Sequence, residues 1–316
     1  MSHRILTLIA VLLPCAAALA GGTAQGPLFR SRLDLVALSL TVVNEGGRIV
    51  TGLTREAFTV TEDGRTRSIA HFTSDPVPVS LVIALDASGS MVGRRFSVAS
   101  QAVMRFFDRM APDDEISIIG FNDRPFAIAP WTRSPLVVRD ALSQVTARGT
   151  TALYAAVLSA IDALRMSEHR RQAVIVISDG NDFVPRDFQA SVLGPQQALE
   201  QRQMRTLQRI EGTEAIVYAI GVDARAADPT VLDQQFDAST LRRLTDPTGG
   251  ITLIVKSDDA VIGAAERIGE ELRQQYQIGF VPANDSDGKF HRVRVTVSGC
   301  KCHVRVRAGF IAGRRP

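Results

Sequence analysis

Lysine is nearly missing from this chain. Only Lys256, Lys289 and Lys301 occur, so the 36 basic residues are almost all arginine. They are scattered among 33 acidic residues, leaving a formal net charge of +3. A nucleic-acid binder concentrates positive charge on one face or tail, so this dispersal argues against nucleic acid as a partner. Long apolar runs are also scarce. Ile5–Leu13 is apolar but too short to span a bilayer comfortably. Cysteine is sparse, with Cys15, Cys300 and Cys302 making up the three in the chain. No His-Glu-x-x-His stretch occurs, and His71, His169, His291 and His303 are scattered.

What is present begins with an export signal. Arg4 supplies a positive start, Ile5–Leu13 the apolar region, and Ala18-Leu19-Ala20 a small-x-small cleavage site. Residues 1–20 are therefore expected to be removed, placing the chain in the periplasm or outside the cell with no stable membrane span. Cys15 does not make a lipoprotein signal, because Pro14 stands where that signal wants a small residue. Hydrophobic residues make up 45% and charged residues 22% of the chain, a globular rather than disordered balance. At 316 residues it can hold a large domain and a smaller one.

The chain is organised around Val79–Leu85 and the turn Asp86-Ala87-Ser88-Gly89-Ser90 after it. The apolar run is too short for a helix and reads as a parallel strand buried on both faces. From Val79 to about Arg273, strands and helices alternate, which predicts a mostly parallel, doubly wound sheet. A second such strand, Gln172–Ser178, ends at Asp179-Gly180, and Arg148-Gly149-Thr150-Thr151 opens a helix. On both sides of this block the pattern is β. Leu33–Val43, Phe58–Glu62 and Arg67–Phe72 precede it, with Asp63-Gly64 as a hairpin signal. Gln277–Val281, Phe290–Val297 and His303–Val306 follow it. Each flank has too few strands to stand alone. They are expected to pair into one β-sandwich-like domain in which the α/β domain is inserted. The expected boundaries are 21–76 and 274–316 for the two β segments and 77–273 for the α/β domain.

Ligand sites in open α/β sheets gather at the carboxyl ends of the strands. Asp86, Ser88 and Ser90 come from one strand end, a threonine hydroxyl from the Thr150-Thr151 loop, and Asp179 from the other strand end. All these donors are oxygen, which suits a hard divalent cation such as Mg2+. Other chemistries lack parts. A haloacid-dehalogenase-type phosphotransferase needs a carboxylate where Ser88 stands, and a Gly-x-Ser-x-Gly hydrolase needs glycine where Asp86 stands. No enzyme is expected.

These residues resemble the von Willebrand factor type A (VWA) domain, whose metal-ion-dependent adhesion site uses Asp-x-Ser-x-Ser, a later Thr and a later Asp. The resemblance implies Asp86, Ser88, Ser90, Thr151 and Asp179 as metal ligands, with Mg2+ as the ion and Mn2+ or Ca2+ as alternatives. It also implies a protein partner whose acidic side chain completes the coordination. Thr150 stands at a position often glycine in that family, leaving open which of Thr150 and Thr151 faces the metal. The flanks resemble exported VWA-related proteins of acidobacteria, through Val50–Leu53 with Phe58–Gly64 and Gln275–Phe280 with Phe290–Val295.

Two further patterns stand outside that site. Cys300 and Cys302 would share a face of a strand and read as two isolated thiols, since a bridge would close a small strained ring. A soft-metal site with His291 and His303 is the alternative. Asn284-Asp285-Ser286-Asp287-Gly288 looks like the start of a calcium loop but lacks the distant glutamate, and so reads as a turn between strands.

Overall fold

Eight consecutive buried residues, Val79–Asp86, form strand β5 at the centre of the larger sheet. The computed structural model describes residues 35–180, 182, 194–223, 238–283 and 286–313. The expected signal segment and the Asn284-Asp285 start of the calcium-loop-like stretch lie outside these. Four strands precede β5: β1 (Val36–Asn44), β2 (Phe58–Glu62), β3 (Arg65–Arg67) and β4 (Ile69–Thr73). After it come α1 (Arg94–Arg109), β6 (Glu115–Phe121), β7 (Pro125–Thr132), α2 (Pro135–Ser143), α3 (Leu153–Ala163) and β8 (Arg171–Ser178). The block closes with α4 (Pro195–Glu211), β9 (Ile216–Val222), α5 (Ala238–Thr245), β10 (Thr252–Val255) and α6 (Asp258–Arg273). Four strands close the described residues: β11 (Tyr276–Phe280), β12 (Phe290–Val297), β13 (Cys302–Arg305) and β14 (Gly309–Ile311).

The central sheet runs β10-β9-β8-β5-β6-β7, parallel throughout except for β7, which pairs antiparallel with β6 at the edge. An edge place suits β7, because Pro125 and Pro130 cannot donate to a ladder. The alternation along β5 divides the core. Leu81, Ile83 and Leu85 join a cluster with Val98, Ala99, Val103 and Phe106 of α1 and Val261, Ala265 and Ile268 of α6. Val82 and Ala84 join one with Leu153, Val157 and Ile161 of α3 and Leu241 and Leu244 of α5. Burying each of these larger aliphatic side chains is worth about 2 kcal/mol. Both faces of β5 are thus used up by packing, so only its end is left for chemistry.

The flanking segments form two antiparallel four-stranded sheets, β13-β1-β11-β4 and β14-β12-β2-β3. Each sheet takes two strands from before the α/β block and two from after it. One apolar cluster joins them, including Leu38 and Leu40 of β1, Val60 of β2, Tyr276 and Phe280 of β11, Val293 and Val295 of β12, and Phe310 of β14. The β-sandwich-like unit with an α/β insertion therefore stands. Its expected return strand over Arg67–Phe72 differs in detail. The chain leaves the β2-β3 hairpin at Ser68, and β4 crosses to the other sheet, where it pairs with β11. Ile69 is buried on that side, whereas β3 exposes both Arg65 and Thr66.

The cysteine expectation is corrected. Cys300 and Cys302 form a disulfide with Cα atoms 5.4 Å apart. The reason is local: Ser298–Lys301 is a turn with Gly299 at φ +82°, and β13 starts only at Cys302. The two residues are not both on a strand, so the chain curls enough for their sulfurs to meet. No helix among the described residues is long and apolar enough to cross a membrane.

Candidate metal centre

Parallel pairing brings the strand ends together. Leu85 lies opposite Ile177 of β8 and Gly120 of β6, and Asp86 lies opposite Phe121. Ser178, the last residue of β8, donates its hydroxyl to Asp86 Oδ2 at 2.6 Å. On the other carboxylate oxygen, the Ser88 backbone N–H donates to Oδ1 at 2.9 Å. This side-chain-to-backbone turn is what a short acidic side chain makes when the chain reverses after a strand. The hydroxyls of Ser88 and Ser90 lie 3.0 Å apart. Asp86 and Ser88 are buried, while Ser90 is partly exposed.

The loop before α3 is tied to this turn through the backbone. Gly89 N–H donates to Gly149 O at 2.9 Å, and Arg148 N–H donates to Ala87 O at 2.8 Å. Gly149 has φ +80°, and a Cβ there would come within 2.7 Å of Asp123 Oδ2. Both the backbone angle and the close approach exclude a larger residue. Asp123 Oδ1 accepts from the Thr150 N–H at 2.8 Å and from the Thr150 hydroxyl at 2.6 Å. Thr150 is thereby committed to Asp123, while Thr151 beside it is buried at 6% exposure.

Asp179 follows Ser178 and is also buried. Burial foremost, and next the charge of Asp179, push the Asp86 carboxyl up to about 7, against the hydrogen bonds from Ser178 and Ser88. Burial and a neighbouring carboxylate both raise the cost of ionising Asp86. Asp86, Ser88, Ser90 and Asp179 are therefore brought together by contacts or charge. Thr151 is held on the loop stitched to them.

Two carboxylates here went unremarked in the sequence. Asp123 shapes the threonine loop. Asp182 is pushed up to about 6 by burial, opposed by Arg202 and by the N–H groups of Leu153 and Tyr154 at the start of α3. Both follow strand ends, Asp123 just past β6 and Asp182 just past β8, so the strand-end rule could have singled them out. The described histidines lie elsewhere. His169 Nε2 contacts Asp113 O, just before β6 begins, at the opposite end of the strands.

A family model described as von Willebrand factor type A domain matches residues 81–181. The human voltage-dependent calcium channel subunit alpha-2/delta-3 is 30% identical over 118 residues, 33% of this chain and 11% of that protein. Human inter-alpha-trypsin inhibitor heavy chain H4 is 26% identical over 132 residues, 37% of this chain and 14% of that protein. The chain thus spans little more than a tenth of the length of these curated relatives. Among solved structures, a von Willebrand factor type A protein from Catenulispora acidiphila superposes with a TM-score of 0.51 at 13% identity. That match covers 90% of this chain and 75% of the other. It bears on the fold, and it takes in the β flanks as well as the sheet. Strand order, strand-end motif and family match agree: this chain carries a von Willebrand factor type A domain.

Proposed function

We propose that the chain is an exported binding protein that holds Mg2+ on Asp86, Ser88, Ser90, Thr151 and Asp179 and captures an acidic side chain of a partner protein there. The observation that carries this reading is the pair of buried carboxylates, Asp86 and Asp179, at one strand-end edge with serine hydroxyls beside them. Buried like charges repel and lose hydration; a divalent cation between them reverses both effects, so the residues fit the ion. The donors are all oxygen, which favours Mg2+, with Mn2+ or Ca2+ as substitutes. When bound, such an ion supplies a Lewis-acidic centre able to take one more oxygen.

The chain's own residues prepare that place. Ser178 and the Ser88 N–H fix the two oxygens of Asp86. Asp123 takes up Thr150, which supports Thr151 as the threonine ligand. No histidine among the described residues adjoins this edge, and no acid–base or nucleophile set is assembled there, which supports binding over catalysis. The relatives named above are a channel subunit and an inhibitor chain, which fits an interaction module. Export rests on the signal pattern of residues 1–20. We also infer units of 21–76, 77–273 and 274–316, on the interleaved strands described above.

Calorimetric titration with Mg2+ tests the reading, comparing the chain with Asp86→Ala. Partner capture is then compared with Mg2+, with EDTA, and with Ser90→Ala or Thr151→Ala. Uptake that ignores Asp86→Ala rejects the ligand set. Capture that ignores chelation and both hydroxyl variants rejects the adhesion mechanism.

A further inference from the structure

A different cluster lies at the β2-β3 hairpin, on the sandwich. Glu62 ends β2, Asp63 opens the turn, and His291 sits on the neighbouring strand β12. His291 Nδ1 is 2.8 Å from Asp63 Oδ2 and 3.5 Å from Glu62 Oε1. One ligand atom from each of the three residues lies within 4.8 Å of the others. A tetrahedral ion with bonds of about 2.0 Å spaces its ligand atoms about 3.3 Å apart, within the range of these separations.

Each group is held in place by an atom other than the one it presents. Glu62 Oε2 accepts from Arg67 Nε at 2.5 Å and from the Ala283 N–H at 2.9 Å. Its Oε1 is buried and makes no hydrogen bond, although the residue is 0% exposed. A buried carboxylate oxygen without a donor is costly, and this one faces the imidazole. Asp63 Oδ1 accepts from the Arg292 N–H at 2.9 Å, leaving Oδ2 toward His291. His291 Nε2 lies 3.1 Å from Asp287 Oδ1, and its ring stacks on Phe310 with centroids 5.3 Å apart. A metal-bound histidine characteristically gives its other N–H to a carboxylate, which sets the tautomer and aims the ring.

We propose that Glu62 Oε1, Asp63 Oδ2 and His291 Nδ1 form a site for a divalent transition metal, best suited to Zn2+, with Asp287 orienting the imidazole. The imidazole nitrogen is a borderline donor that favours Zn2+ beside two carboxylate oxygens, and the all-oxygen set at the strand ends has no such donor. Binding releases the Nδ1 proton to solvent, while the Nε2 proton stays on the ring and is donated to Asp287 Oδ1. Asp63 is 52% exposed at the side chain, so the ion enters from solvent and keeps an open position for water. Such an ion would clip the hairpin of the leading segment to a strand of the trailing one.

The test uses the full chain carrying Asp86→Ala, so that the strand-end site cannot contribute, with Zn2+ alone as the probe. One equivalent should bind, and the thermal midpoint should rise with Zn2+. Asp63→Asn keeps the acceptor for Arg292 and sits half-exposed, so it should fold; it should weaken Zn2+ at least tenfold, as should His291→Gln. Co2+ should give visible bands in the parent that are lost in Asp63→Asn. No Zn2+ uptake by the folded Asp86→Ala chain overturns the site, as does uptake that Asp63→Asn leaves unchanged, including uptake by reduced Cys300 and Cys302.

Discussion

Asp86 and Glu271 are both buried acids, yet their surroundings are opposite. Glu271, on α6, lies at the seam between the α/β unit and the sandwich. It accepts from Thr41 of β1 at 3.1 Å, from Tyr218 of β9 at 3.0 Å and from Arg305 of β13 at 2.5 Å. Gln275 donates to Tyr218 at 2.7 Å and accepts from Arg171, which also reaches Leu272 O. Donors and a counter-charge surround Glu271, so nothing more is needed from outside. Asp86 is met by uncharged donors of Ser178 and Ser88 and by a second acid. The difference separates a carboxylate that seals a joint from one left beside a second acid, the place proposed above for a cation.

The comparison breaks most sharply at the seam. Glu271→Ala should cost about 3–5 kcal/mol in denaturant unfolding, because Arg305 and Tyr218 lose a buried partner. Asp86→Ala in the presence of EDTA should cost far less or stabilise, since it relieves repulsion. If the two variants lose equal stability, the contrast is wrong.

Next in size is a pH effect in chelator. The unfolded Asp86 carboxyl titrates near 4, and the folded one at about 7. Between those values the folded state keeps a proton that the unfolded state has lost. Stability should therefore fall as pH rises through that window and level off above it, by up to about 4 kcal/mol. Asp86→Asn should flatten the profile, and saturating Mg2+ should reverse the fall by holding the ionised form. Urea midpoints from pH 4.5 to 8 for the two proteins, with and without Mg2+, measure this directly.

A smaller effect sharpens the threonine assignment. Thr151→Val should weaken Mg2+ about tenfold, or about 1.4 kcal/mol. Thr150→Val should leave Mg2+ affinity within about twofold and loosen the loop, read from calorimetry on both variants. The reverse pattern would give the metal to Thr150. Smallest of all is the ion pair between Arg94 and Asp258, where Arg94 is 84% exposed. Arg94→Ala should shift stability by less than about 0.5 kcal/mol, marking the floor against which the buried acids are judged.

The sequence revealed β5 and its strand end because an unbroken apolar run closed by Asp86 has few other readings. The paired flanks were legible too, since alternation in Phe58–Glu62 and Phe290–Val297 needs a partner face. The engagement of Thr150 was not, because it depends on Asp123, which arrives from the end of another strand. Nor was the seam: Thr41 and Glu271 are 230 residues apart, and nothing local in either marks a partner. The disulfide was hidden by a turn that began two residues before the first cysteine and delayed β13. Asp287 was read only as part of a turn between strands, and its contact with His291 four residues on could not be seen in that pattern.

The interleaving of the two small sheets bears on the order of folding. Among the described strands β1 pairs with β11 and β13, apart from a single bridge from Val43 to nearby Ile49, and β2 needs β12 on the side away from β3. Until the chain past Tyr276 exists, the leading strands have bare edges and an apolar face with no lid. Such distant pairings are slow, because a long loop must close before they are rewarded. During synthesis the first strands made are thus among the last secured, and the interval between is when this protein is most exposed to aggregation.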